Sequence, residues 1–180
     1  MALRRLWVPL AAALVGALTA VTLAGLLGAR QTALAEPRAL VSRTIMVPAG
    51  AFSAADDGIQ FANTGDALTV NYPGSGMFHA PLFFEAKSVT IKKLTLYAWD
   101  NEDGRQTCVL LYRTSPTAGS EIMGQVCSTG AAQGTREFTE SDLAIRTING
   151  GYAPFLRLHV MTGSLHFYMV KITYSYTAGS

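Results

Sequence analysis

Two aromatic residues, Tyr97 and Trp99, stand two positions apart and are followed at once by Asp100-Asn101-Glu102-Asp103-Gly104. Large rings with an apolar body and a polar tip suit the C–H face of a sugar. Carboxylate oxygens on a loop suit a hard cation such as Ca²⁺. If Leu94, Leu96 and Ala98 face a core, strand alternation turns Tyr97 and Trp99 outward together. Tyr97, Trp99, Asp100, Glu102 and Asp103 are therefore the candidate ligand-binding residues, and Ca²⁺ is the one cofactor the loop admits. The spacing departs from an EF-hand because Gly104 stands where the fifth-position ligand belongs. A solvated hairpin turn is the competing reading of the acids, and cover by a loop or a neighbouring subunit is the competing reading of the rings.

Three histidines, His79, His159 and His166, are the other metal-competent side chains. A two-residue turn at Gly163-Ser164 would pair Leu158 with Met169 and Val160 with Phe167, and would leave His159 and His166 as diagonal neighbours on the opposite face. Two imidazoles begin a zinc site, but a third ligand is not visible, so the metal content stays open. No catalytic residue emerges. Pro73-Gly74-Ser75-Gly76 lacks the G-x-S-x-G order and the strand–elbow–helix context of a nucleophile loop. A small hydrolase is the third-ranked expectation, behind two non-catalytic ones.

Cys108 and Cys127 are the only cysteines. If Thr114 faces Glu121 across the turn Ser115–Ser120, Cys108 faces Cys127, Val109 faces Val126 and Tyr112 faces Met123. Directly opposed Cα atoms lie within disulfide reach, so a Cys108–Cys127 bond is expected. No C-x-x-C spacing favours a redox role.

The elements that position these residues are short runs alternating with period two, separated by turn-forming residues. Strands are expected at Leu40–Val47, Ile59–Asn63, Ala67–Tyr72, Met77–Phe84, Val89–Trp99, Thr107–Thr114, Glu121–Ser128, Arg136–Thr139, Phe155–Met161 and Leu165–Tyr176. Only Glu140–Ile148 reads as possible helix. Val89 and Ile91 share one parity, whereas Leu94, Leu96 and Ala98 share the other; a β-bulge at Lys92-Lys93 reconciles them. The alternative is a strand that changes sheets. The pattern predicts an all-β, antiparallel two-sheet sandwich, jelly-roll-like, with one disulfide.

The N-terminus sets the compartment. Arg4 and Arg5 precede an uncharged apolar run from Leu6 to Ala29, and Ala33-Leu34-Ala35 gives small residues before Glu36. This reads as a signal peptide over residues 1–35, with a single β-sandwich domain at 36–180 and a secreted, extracellular, disulfide-permitting destination. The run is long enough to cross a bilayer of about 30 Å, so an uncleaved signal anchor is the alternative. Pro9, Gly16, Gly25 and Gly28 argue for cleavage, after which no membrane insertion remains. Removing Arg4, Arg5 and Arg30 turns the whole-chain charge of +2 into −1, with 11 basic against 12 acidic side chains. The remaining basic residues are scattered, which excludes a nucleic-acid footprint.

Ile91-Lys92-Lys93-Leu94-Thr95-Leu96-Tyr97-Ala98-Trp99-Asp100-Asn101, with Val109-Leu110-Leu111-Tyr112-Arg113-Thr114 and Gly76-Met77-Phe78-His79-Ala80-Pro81, resembles a group of uncharacterised exported bacterial proteins of jelly-roll-like type. The resemblance covers most of residues 36–180 and implies architecture and export only. Together these readings predict an extracellular binding or adhesion module whose partner is a cell-surface glycan or a protein. The alternative is a structural cell-surface subunit that forms a homo-oligomer through its sheet faces.

Overall fold

The computed structural model describes residues 38–71, 74–131, 133–161 and 165–179. The expected leader lies outside them. Among the described residues no helix is long and apolar enough to cross a membrane. Twelve strands follow in order: β1 (Leu40–Pro48), β2 (Ser53–Ala54), β3 (Phe61–Asn63), β4 (Leu68–Val70), β5 (Ser75–Pro81), β6 (Val89–Trp99), β7 (Thr107–Ser115), β8 (Gly119–Cys127), β9 (Thr135–Glu140), β10 (Thr147–Ile148), β11 (Ala153–Met161) and β12 (His166–Thr177). The only helical piece described is a 3₁₀ turn at Ala49–Ala51.

The strands form two antiparallel sheets, as expected. In the seven-stranded sheet β6 and β12 are central; β9 and β10 both pair with β6, and β1 and β4 both pair with β12. The second sheet runs β2-β5-β11-β7-β8. Inward residues of both sheets fill one core, led by Phe78, Phe167, Leu94, Leu96, Leu111, Leu156 and Ile172. Strands β4, β5, β6 and β7 alternate between the sheets, so consecutive alternating segments supply the two walls of that core.

The bulge in β6 lies where the parity break places it. Ile91 pairs with Tyr174 and Lys93 with Thr173, which leaves Lys92 as the extra residue. Val89, Ile91, Leu94, Leu96 and Ala98 are all buried as a result. This phase change turns Thr95, Tyr97 and Trp99 to the outer face of the sheet, where Thr95 is covered and Tyr97 and Trp99 are half-buried.

Four expectations are corrected. First, β11 and β12 do not form a hairpin: β11 lies between β5 and β7, and β12 belongs to the other sheet. A strand that finishes one wall of a sandwich can cross to the other wall as easily as it can turn back. Second, the β7–β8 register matches from Cys108–Cys127 to Leu111–Gly124 but then shifts, so Tyr112 faces Ile122 and Met123 is the extra residue. Met123 is fully buried, and its side chain fills the core at the bulge. Third, Glu140–Ile148 is not helical. Leu143 and Ile148 are buried, Ile145 N donates to Met123 O at 3.1 Å, and the segment ends in β10. Fourth, the strand expected at Met77–Phe84 stops at Pro81; Leu82 turns into the core and Phe83 is 82% exposed.

Candidate functional site

Tyr97 sits on the outer face of β6, between Glu137 of β9 and Met169 of β12. Its hydroxyl accepts a hydrogen bond from Lys171 Nζ at 2.7 Å and donates to Glu137 Oε2 at 3.1 Å. Lys171 Nζ also lies 3.8 Å from Glu137 Oε1 and 5.2 Å from the centre of the Tyr97 ring. The Lys171 pKa is raised, first by its hydrogen bond to Tyr97 and then by the Glu137 charge, with burial opposing. One ring, one cation and one carboxylate thus form a closed polar triad on the sheet surface.

Trp99 pairs with Thr135 on one side and His166 on the other. Its ring centre lies 4.7 Å from that of His166 with planes 30° apart, and His166 lies 6.4 Å from Tyr168 at 19°. Tyr168 is the residue skipped in the β12–β6 register, so a bulge brings its ring into line with its neighbour. Trp99, His166 and Tyr168 therefore form a row of near-parallel rings beside the Tyr97 triad. The indole Nε1 is buried and has no hydrogen-bond partner among the described residues, so the indole is seated with its N–H out of solvent.

The acidic loop behaves differently from the rings. Asp100 is fully buried, and its Oδ1 accepts from the backbone N–H of Glu102 at 3.1 Å, an Asx turn. Glu102 pairs with Arg105 at 3.1 Å. Asp103 Oδ1 accepts from Ala131 N at 3.1 Å and ties this loop to the one after β8. The three carboxylates are turned to separate partners. Among the described residues no group of three or more His, Cys, Asp or Glu side chains converges on a metal-sized space.

Cys108 and Cys127 are bonded, with Cα atoms 4.1 Å apart. They lie on the outer face of the five-stranded sheet, where His159 pairs with Cys108 and Met77. His159 and His166 are thus on opposite sheets, not the diagonal neighbours expected from the hairpin.

One constellation escaped the sequence. On that same outer face Arg157 of β11 stands between His79 of β5 and Leu110 of β7. Its Nε donates to His79 Nε2 and its Nη1 to the Tyr112 hydroxyl, both at 3.2 Å. The guanidinium carbon lies 4.6 Å from the centre of the Tyr112 ring. Phe155 stacks on Tyr112 at 5.0 Å and 9°, and His79 meets Phe155 edge-on at 5.7 Å. The signal was available: Phe155, Arg157 and His159 share one parity in their strand, as do Met77 and His79 in theirs. Only the neighbourhood β5-β11-β7 was missing.

No family model matches this sequence, and no curated protein matches it. Solved structures of carbohydrate-binding modules are similar in fold. The CBM36-1 domain of a multidomain xylanase from the hindgut metagenome of Trinervitermes trinervoides is 17% identical, covers 77% of this chain and 100% of its own, and has a TM-score of 0.43. The C-terminal CBM6 of LamC, a marine laminarinase from Zobellia galactanivorans, is 15% identical over 73% of this chain and 99% of its own, with a TM-score of 0.48. A CBM36 in complex with calcium and xylotriose is 13% identical over 71% and 97%, with a TM-score of 0.41. At such identities and TM-scores no residue of theirs is matched to a residue here.

Proposed function

We propose that this protein is a non-catalytic, secreted binding module that recognises a glycan on the outer face of its seven-stranded sheet. The observation that carries the reading is the juxtaposition of the Trp99–His166–Tyr168 row with the Tyr97–Lys171–Glu137 triad on one surface. Rings supply apolar area against sugar C–H groups, and the triad supplies fixed donors and acceptors for hydroxyls. Because the triad is already hydrogen-bonded, little side-chain entropy is lost when a ligand arrives. Asp100, Glu102 and Asp103 act here by shaping the loop at the end of β6, with ligand contact from that loop as the finer part of the proposal.

The test is retention of residues 36–180 on a panel of insoluble and cell-wall polysaccharides, with and without Ca²⁺. Saturable binding is expected. Trp99→Ala should weaken it about tenfold, the ratio that 1.4 kcal/mol produces. Tyr168→Ala, a change at the far end of the row, should weaken it independently of any packing defect at Trp99. A Ca²⁺ requirement would bring the acidic loop into the site. Absence of retention in both conditions, together with a stable oligomer in gel filtration, would replace this reading with that of a structural subunit.

A further inference from the structure

The outer face of the five-stranded sheet has an unusual charge distribution. The outward positions of β2, β5, β11, β7 and β8 contain no aspartate or glutamate. Arg157 is their only formal charge, and among the described residues it makes no ion pair. An uncompensated guanidinium on a surface without carboxylates is a recognition element for an anion.

The group is also built. Two of its nitrogens are held by His79 and Tyr112, and its plane rests on a tyrosine that is only 7% exposed and is itself stacked on Phe155. His79 accepts through Nε2, so its proton sits on Nδ1 and the ring is neutral. Burial, and then the Arg157 charge, lower its pKa; Asp56, just beyond β2, acts in the opposite direction. His79 therefore orients Arg157 without competing with it as a cation. Nη2 has no acceptor among the described residues, and with the second hydrogen of Nη1 it forms a free planar fork. Such a fork matches the two oxygens of a carboxylate. The surroundings are Phe155, Leu110 and Met77, the last 41% exposed. They gain from cover by an apolar ring face and offer nothing to a hydrated inorganic anion.

We infer that this face is a second ligand site, distinct from the Trp99 face, which takes a carboxylate-bearing glycan: the uronate carboxylate on the Arg157 fork, its own ring on the Phe155 side and a neighbouring sugar of the chain on the Met77 side. The inference stands apart from the Trp99 reading, since it uses the other sheet and a charged ligand.

The experiment is an NMR titration of the intact exported chain with galacturonate oligosaccharides. A neutral oligosaccharide, dextran sulfate and poly-glutamate serve as parallel arms. The expected result is a saturable shift of the His79 imidazole and Arg157 Nε–H signals with the uronate alone, weakening as salt is raised. Arg157→Gln should lower affinity at least tenfold. Arg157→Lys should also fail to restore it, because the charge is kept and the planar fork is lost. The wild-type titration decides the matter even if Arg157→Gln misfolds. Silence at His79 with the uronate would overturn the inference. So would an equal response to dextran sulfate or poly-glutamate, or concentration-dependent dimerisation that buries this face.

Discussion

Replacing Cys108 and Cys127 together by alanine should destabilise the protein by an amount that the loop length sets. The bond closes a loop with a sequence separation of 19. Chain-entropy theory assigns such a closure about 3.2 kcal/mol at 25 °C, all of it through the unfolded state. The unit from Ala39 to Ser180 should unfold with an entropy of roughly 0.3 kcal/mol/K, so Tm should fall by about 11 °C in calorimetry. The site makes the test sharper than the number alone. Among the described residues β8 is an edge strand paired with β7 alone. A bond that works by clamping this edge would, when removed, expose β8 amides to exchange and leave the rest untouched. Loss of a bond that works through the unfolded chain lowers the protection of every amide that exchanges by global unfolding, by the same 3.2 kcal/mol or so. Native-state hydrogen exchange of Val109, Leu158 and Ile172 distinguishes the two. A Tm loss below about 4 °C, or a protection loss confined to Gly119–Cys127, would refute the entropic account.

Three further outcomes follow from the packing and the charges. In Gly124→Ala the added methyl claims the place already held by Leu143 Cδ2, and overpacking of this kind costs about 1–3 kcal/mol; chemical denaturation should show that loss, and the double variant with Leu143→Ala should recover part of it as a measurable coupling. The His79 pKa is lowered from 6.5 by burial and by Arg157, so the native state favours the neutral ring: its contribution is complete above pH 6.5 and is lost as pH falls through the native value. Thermal scans from about pH 7.5 to about pH 5 should therefore show wild type losing stability faster than His79→Gln. Asp56→Asn should steepen the wild-type loss, because the Asp56 charge favours the protonated ring.

Much of the sandwich is written in period two. The alternation in Val89–Trp99 and Thr107–Thr114 gives their buried faces directly, and the parity break at Lys92-Lys93 leaves a bulge or a change of sheet; β6 stays in one sheet, so the inserted Lys92 is what returns all five apolar side chains to one face. The Cys108–Cys127 pairing is legible for the same reason up to Leu111, after which Met123 defeats it: a methionine fits either parity, and the bulge that buries it moves Tyr112 opposite Ile122. Strands β2 and β10 have two residues each and carry no periodicity to read. What parity cannot report is which strands are neighbours. The run from Phe155 to Tyr176 has the alternation of a hairpin, yet its halves serve opposite walls. That single long-range fact separates His159 from His166 and assembles His79, Arg157 and Tyr112 from three distant stretches of chain.

The same fact sets the two outer faces apart. On the seven-stranded sheet Lys171 is matched by Glu137, so that surface presents rings and neutralised polar groups. On the five-stranded sheet Arg157 has no ion-pair partner among the described residues, so that surface presents a guanidinium without a carboxylate beside it. Packed sheets stand about 10 Å apart, and their outer faces point in opposite directions. One stretch of polymer cannot lie on both, so a module that uses both holds two different chains at once. Multivalent retention on a mixed matrix would then exceed the affinity of either face alone. Soluble uronate should reduce that retention to the level of the Trp99 face and no further. Complete elution by the uronate would mean instead that a single face carries all the binding.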